Sequence, residues 1–170
     1  MNINILLRNI LRFVTLAFIQ VFIFNNIHIT DLGIIPVIYI LYIILLPFET
    51  PNWLIMTLAF LIGFTIDIFS NTLGLNAAAS VFVAFIRPGL LNSLAPRDGY
   101  EIGSFPRIYY QGITWFFKYA SSLILIHQIA YYLLESFGFE NFFIMIFKII
   151  IASIISIILI VISQYIVFRK

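Results

Sequence analysis

The sequence predicts an all-α integral membrane protein, a single domain built as a bundle of six transmembrane helices. Three observations predict it. The 170 residues are 63% hydrophobic and only 9% charged, whereas a soluble domain carries about 25% charged residues. With a mean hydropathy of +1.12, the chain can meet water over little of its surface, so its solvent must be mostly lipid. The apolar residues also fall in continuous runs near the ~20 residues that cross a hydrocarbon core. A transmembrane β-barrel would need alternation instead.

The first span is expected from about Ile10 to Ile27, behind Arg8 and Arg12. It ends in Phe24-Asn25-Asn26-Ile27-His28 with no small-x-small cleavage site, so it reads as a retained helix rather than a signal peptide. The second runs from about Leu32 to Phe48, with Pro36 near its start and Pro47 at its end. The third covers Trp53 to Ser70 and the fourth Leu75 to Leu94, the latter expected to break at Arg87-Pro88-Gly89. The fifth covers Ile113 to Leu134 and the sixth Phe142 to Phe168. Short polar turns separate them: Glu49-Thr50-Pro51-Asn52, Asn71-Thr72-Leu73-Gly74 and Gly138-Phe139-Glu140-Asn141. The one long connection, Ala95 to Gly112, holds Pro96, Gly99, Gly103 and Pro106.

Orientation follows from the basic residues of short loops. With the N-terminus inside, Arg8, Arg12, Arg97, Arg107, Arg169 and Lys170 are all cytoplasmic. The outer loops carry Asp31, Glu135 and Glu140 and no Lys or Arg. That asymmetry predicts an inner-membrane protein with both ends in the cytoplasm. Trp53, Trp115, Tyr109, Tyr110, Tyr131 and Tyr132 sit near span ends, as interfacial aromatics do.

Several function classes are excluded. The chain has no Cys, so disulfides, thiolate metal sites and Cys nucleophiles are out. Its net charge of +2 comes from scattered residues, with no basic stripe for nucleic acid. His28 and His127 lie far apart, and there is no nucleophile constellation, metal-ligand run or Gly-rich phosphate loop. No catalytic residue, cofactor or metal is expected.

What remains is a set of polar residues inside spans, where charge is costly. Asp67 lies near the outer end of the third span, His127 in the outer half of the fifth and Lys148 in the outer half of the sixth. At 1.5 Å per residue they fall within roughly 5 Å of each other in depth, which permits a polar cluster with Gln20 and Asn76. Alternatively, Lys148 snorkels to the headgroups and His127 faces an interfacial groove. Ala59, Gly63 and Asp67 recur every four residues, so they share a helix face. With Ala77, Ser80 and Ala84 they predict a tight hairpin of the third and fourth spans. Arg87 is expected to reach lipid headgroups or to cap carbonyls freed by Pro88. Ala152 and Ser156, at small-xxx-small spacing, mark an external partner face on the sixth span.

The run Gly63-Phe64-Thr65-Ile66-Asp67-Ile68-Phe69-Ser70, followed by Leu73-Gly74-Leu75-Asn76-Ala77-Ala78-Ala79, resembles the signature of MreD, the rod shape-determining membrane protein of bacteria. Pro36 and the overall length also fit. The specific motif covers about residues 59 to 90, while hydropathy and topology agree over the whole chain. The resemblance implies a six-helix fold similar to the substrate-binding component of energy-coupling-factor vitamin transporters. It implies a non-enzymatic role in the cell-elongation machinery, supporting peptidoglycan synthesis. The implied partners are the periplasmic scaffold MreC and, nearby, MreB filaments, the glycosyltransferase RodA and its partner transpeptidase. Pro36, Gly63, Asp67 and Gly74 carry over as structural or interaction positions; no catalytic residue comes with the family. The competing expectation is a small-molecule carrier of the vitamin-transporter type, its cavity lined by Asp67, His127 and Lys148.

Overall fold

The computed structural model describes residues 3–26, 33–101, 103–136 and 142–167. His28, Asp31, Glu140, Arg169, Lys170 and the Gly138–Asn141 turn, each used above, lie outside the described residues, as do Ile27, Leu32 and Phe168 at the ends of the first, second and last expected spans. Every regular element among the described residues is helical: α1 (Ile3–Phe22), a 3-10 turn (Phe24–Asn26), α2 (Leu41–Ile44), α3 (Asn52–Ser70), α4 (Leu75–Ser93), α5 (Ile108–Gln111), α6 (Ile113–Ser136) and α7 (Phe142–Val167). Four stretches are long and apolar enough to cross a membrane: Leu7–Asn26, Asn52–Ser70, Leu75–Ser93 and Phe142–Ile166. The fifth long helix, α6, has 24 residues but is more polar, carrying Lys118, Ser121, Ser122, His127 and Gln128.

The largest departure from expectation is the second span. Residues 33–38 are not helical, and only one short helix, α2, follows before the chain leaves the core at Pro47. This segment is nonetheless the most deeply buried part of the protein, with Ile34, Tyr39, Ile40, Ile43 and Ile44 wholly enclosed. Pro36 disfavours helical backbone at Ile35 and offers no N–H of its own. Side chains from neighbouring helices take over the backbone groups a helix would have paired internally. Such backbone is tolerated at membrane depth only when protein surrounds it.

Around this segment, α3 and α4 form a close antiparallel hairpin, α6 packs on α4 and α7, and α1 packs on α3. Pro51, extended at ψ 141, starts α3, and Asn71 ends it in the left-handed region at φ 53. Gly74 at φ 84 then opens α4, a backbone position that glycine occupies at little cost.

Two further expectations are corrected. Helix α4 runs through Arg87-Pro88-Gly89 without a break. Pro88 costs one intrahelical bond, which membrane helices absorb, and the Arg87 side chain leaves its own helix entirely. The small face of α7 is not external: Ala152, Ser153 and Ser156 are buried, and Ser156 Oγ accepts the Val37 N–H at 2.9 Å. Small residues are needed there because the extended segment passes close by.

The long connection folds back on one end of the bundle. Tyr100 stacks on Phe48 with ring centroids 4.1 Å apart and donates to Leu91 O at 2.8 Å. Trp115 Nε1 donates to Leu94 O at 3.0 Å, and the Gly103 N–H reaches Glu49 Oε1 at 3.1 Å.

Candidate functional site

The hairpin turn carries the first polar centre. Helix α4 opens on Gly74, which has no side chain to cap the free N–H groups of its first turn, so α3 supplies the cap. Asp67 Oδ1 accepts the Asn76 N–H at 3.0 Å and Oδ2 accepts the Ala77 N–H at 2.9 Å. The Asn76 side-chain amide donates to Asp67 Oδ1 at 2.9 Å, and the Thr72 hydroxyl donates to the same oxygen. A carboxylate at a helix N-terminus also meets the positive end of the macrodipole. Gly63, one turn earlier on the same face, lets α4 approach: a Cβ there would stand 2.6 Å from Ala77 Cα.

The second centre joins the first through Asn76. Tyr39 Oη lies 3.1 Å from Asn76 Oδ1, 2.7 Å from His127 Nε2 and 3.3 Å from Ser80 Oγ. One hydrogen-bond count satisfies all of them. His127 Nε2–H and Ser80 O–H donate to the tyrosine oxygen, and Tyr39 O–H donates to Asn76. His127 Nε2 then carries a proton, and its buried Nδ1 has no hydrogen-bond partner among the described residues. A polar chain therefore runs Thr72–Asp67–Asn76–Tyr39–His127, from the hairpin turn into the core.

The remaining polar side chains hold the extended segment. Gln20 accepts from Ile38 N at 2.8 Å and donates to Pro36 O at 3.1 Å and Asn25 Oδ1 at 2.9 Å. Arg12 Nη1 donates to Leu45 O at 3.3 Å. Arg87, only 1% exposed, donates through Nε to Tyr119 Oη at 2.8 Å and through Nη2 to Leu46 O. Tyr119 in turn donates to Ile44 O at 3.2 Å. Arg87 thus reaches neither headgroups nor a carbonyl of its own helix.

The structure brings Asp67, Asn76 and His127 into one network, with Gly63 and Gly74 shaping the turn beside it and Pro36 at the Gln20 clamp. Lys148 does not join. Its Nζ lies 5.9 Å from the Tyr132 ring centroid, while Asp67 is already occupied by donors from its own hairpin. Tyr39, the link between Asp67 and His127, is missed by the sequence reading, and so are the roles of Ser80, Tyr119 and Thr72. The available signal was Tyr39 itself, a hydroxyl inside a long apolar run three residues past Pro36.

A cavity of about 340 Å³ opens beside this network, lined by Gln20, Asn25, Asn76, Gln128, Tyr131 and Glu135 among others. Gln128 is buried, and its Nε2 donates to no group among the described residues. No three His, Asp or Glu side chains converge into a metal-holding group among the described residues. The chain matches no protein-family model, no curated protein and no solved structure.

Proposed function

We propose that this chain is an MreD-type protein of the bacterial inner membrane, a non-enzymatic component of the cell-elongation machinery that binds an MreC-like single-span partner. The observation that carries the reading is the use made of the Gly63–Asp67–Gly74–Asn76 run. Its polar groups are consumed in closing the α3–α4 hairpin, so the run serves architecture rather than chemistry. In this reading the chain passes the membrane six times, as α1, the segment 34–46, α3, α4, α6 and α7. Gln20 at one depth holds Pro36, and Arg12, eight residues earlier or about 12 Å along α1, holds Leu45. The segment therefore runs antiparallel to α1 through the core, which supports a full crossing. Arg8, Arg12 and Arg107 share one groove with Gln164 near the end of α7, which supports an N-in, C-in topology.

Depletion tests the role. Loss of the protein from its bacterial host should turn elongated cells round and delocalise wall insertion. Unchanged shape and wall growth after full depletion would overturn it.

One observation favours the carrier reading: the cavity holds the unpartnered Gln128 amide, a group that a polar ligand would satisfy. Native mass spectrometry of protein extracted in mild detergent separates the two. A retained vitamin-sized molecule favours the carrier; a partner recovered without one favours the scaffold.

A further inference from the structure

A second cavity, of about 380 Å³, lies between α1, the 38–45 segment and α7. Its wall is apolar over Leu16, Ile38, Leu41 and Leu45, and Arg8, Arg12 and Arg107 stand along it. No carboxylate among the described residues lines this groove. Arg12 spends only Nη1 on the protein, through Asn9 and Leu45, leaving the other N–H groups of its five-donor guanidinium. Arg8 and Arg12 stand four residues apart on α1, where like charges repel unless an anion sits between them.

A second observation points the same way. Gln164 of α7 lines the groove and is 3% exposed. Neither its Nε2 nor its Oε1 has a hydrogen-bond partner among the described residues. A buried amide left unpaired at both ends is costly, and an apolar acyl chain alone would not relieve it. A group that both accepts and donates would.

We propose that this groove binds one anionic phospholipid. Its phosphate meets Arg8 and Arg12, its ester or headgroup oxygens meet Gln164, and one acyl chain lies along Leu16, Ile38 and Leu41. The occupant must reach the groove sideways from the bilayer. It would fill the gap between α1 and α7 and shield the Arg12–Leu45 contact that holds the extended segment.

The test uses the full chain in mild detergent, offered equal amounts of phosphatidylglycerol and phosphatidylcholine with identical acyl chains and read by native mass spectrometry. One phosphatidylglycerol should be retained in preference. At the usual contribution of each basic residue to anionic-lipid attraction, Arg8→Gln with Arg12→Gln should reduce that preference by about 30-fold. Arg8→Lys with Arg12→Lys should keep most of it, and Arg97→Gln, on the exposed connection, should change nothing. Gln164→Leu, which leaves the arginines and their contacts in place, should lower retention by about tenfold and serves if the double variant does not fold. Equal retention of the two lipids by the wild type, an unchanged preference in the folded double variant, or unchanged retention of phosphatidylglycerol by Gln164→Leu overturns the proposal. So does inorganic phosphate raising the unfolding temperature as much as phosphatidylglycerol does, since the occupant would then be a free anion.

Discussion

Asp67 shows how one buried acid in an apolar helix can be spent on capping its neighbour. Its two oxygens accept from four donors, two of them backbone N–H groups of the α4 first turn. Replacing it with Leu leaves those donors unpaired in a buried turn, so Asp67→Leu should destabilise the protein by at least about 3 kcal/mol. Asp67→Asn keeps one acceptor oxygen and should cost less. Unfolding titrations in detergent measure both, and equal stability of wild type and Asp67→Leu would remove the capping role. At Gly63 the argument is steric rather than polar. A methyl group 2.6 Å from Ala77 Cα meets backbone that cannot rotate away, so Gly63→Ala should push the hairpin apart at a cost of about 1–3 kcal/mol. Of these residues the sequence made Gly63, Asp67 and Gly74 legible, because four-residue spacing and turn chemistry are local. The pairing of Asp67 with His127 through Tyr39 was not legible, because it joins residues 37 and 88 positions apart.

At the scale of elements, helical runs were easier to read than the buried segment between them. The bounds of α3, α4, α6 and α7 follow from apolar runs ended by Asn, Gly or Pro. Residues 32–48 have the same composition as a helix, and a wholly buried run carries no periodicity to separate helix from extended chain. What decides between them is whether other helices can satisfy the backbone. Here Gln20, Ser156, Arg12, Arg87 and Tyr119 do so, and all five lie on other expected spans. Removing the clamp tests this directly. Gln20→Leu strips partners from Pro36 O and Ile38 N and should cost about 2–4 kcal/mol. It should also make a cysteine placed at Ile34, wholly enclosed in the wild type, reactive to a water-soluble maleimide. If Gln20→Leu leaves stability and labelling unchanged, the segment is held by something other than these hydrogen bonds.

For the whole molecule, the polar interior and the apolar exterior divide the tasks. The interior polar groups keep the buried, largely non-helical segment 33–46 in place, which leaves the outward apolar faces of the helices and the loop ends exposed. Lipid is as apolar as those faces, so a stable partner must bind by shape and a few hydrogen bonds rather than by hydrophobic burial. The basic connection, where Tyr100 and Glu49 pin the chain to the bundle end, is expected on the cytoplasmic side. A cysteine at Asp98 should then label from the cytoplasm and not from outside. The central claim, that the protein acts by binding a single-span partner of the elongation machinery, is tested most directly by affinity purification from its host in mild detergent. The account predicts recovery of an MreC-like protein in a stable complex that persists without added small molecule and is lost with Gly63→Ala. Purification of the folded protein without that partner, from cells that express it, would contradict the account.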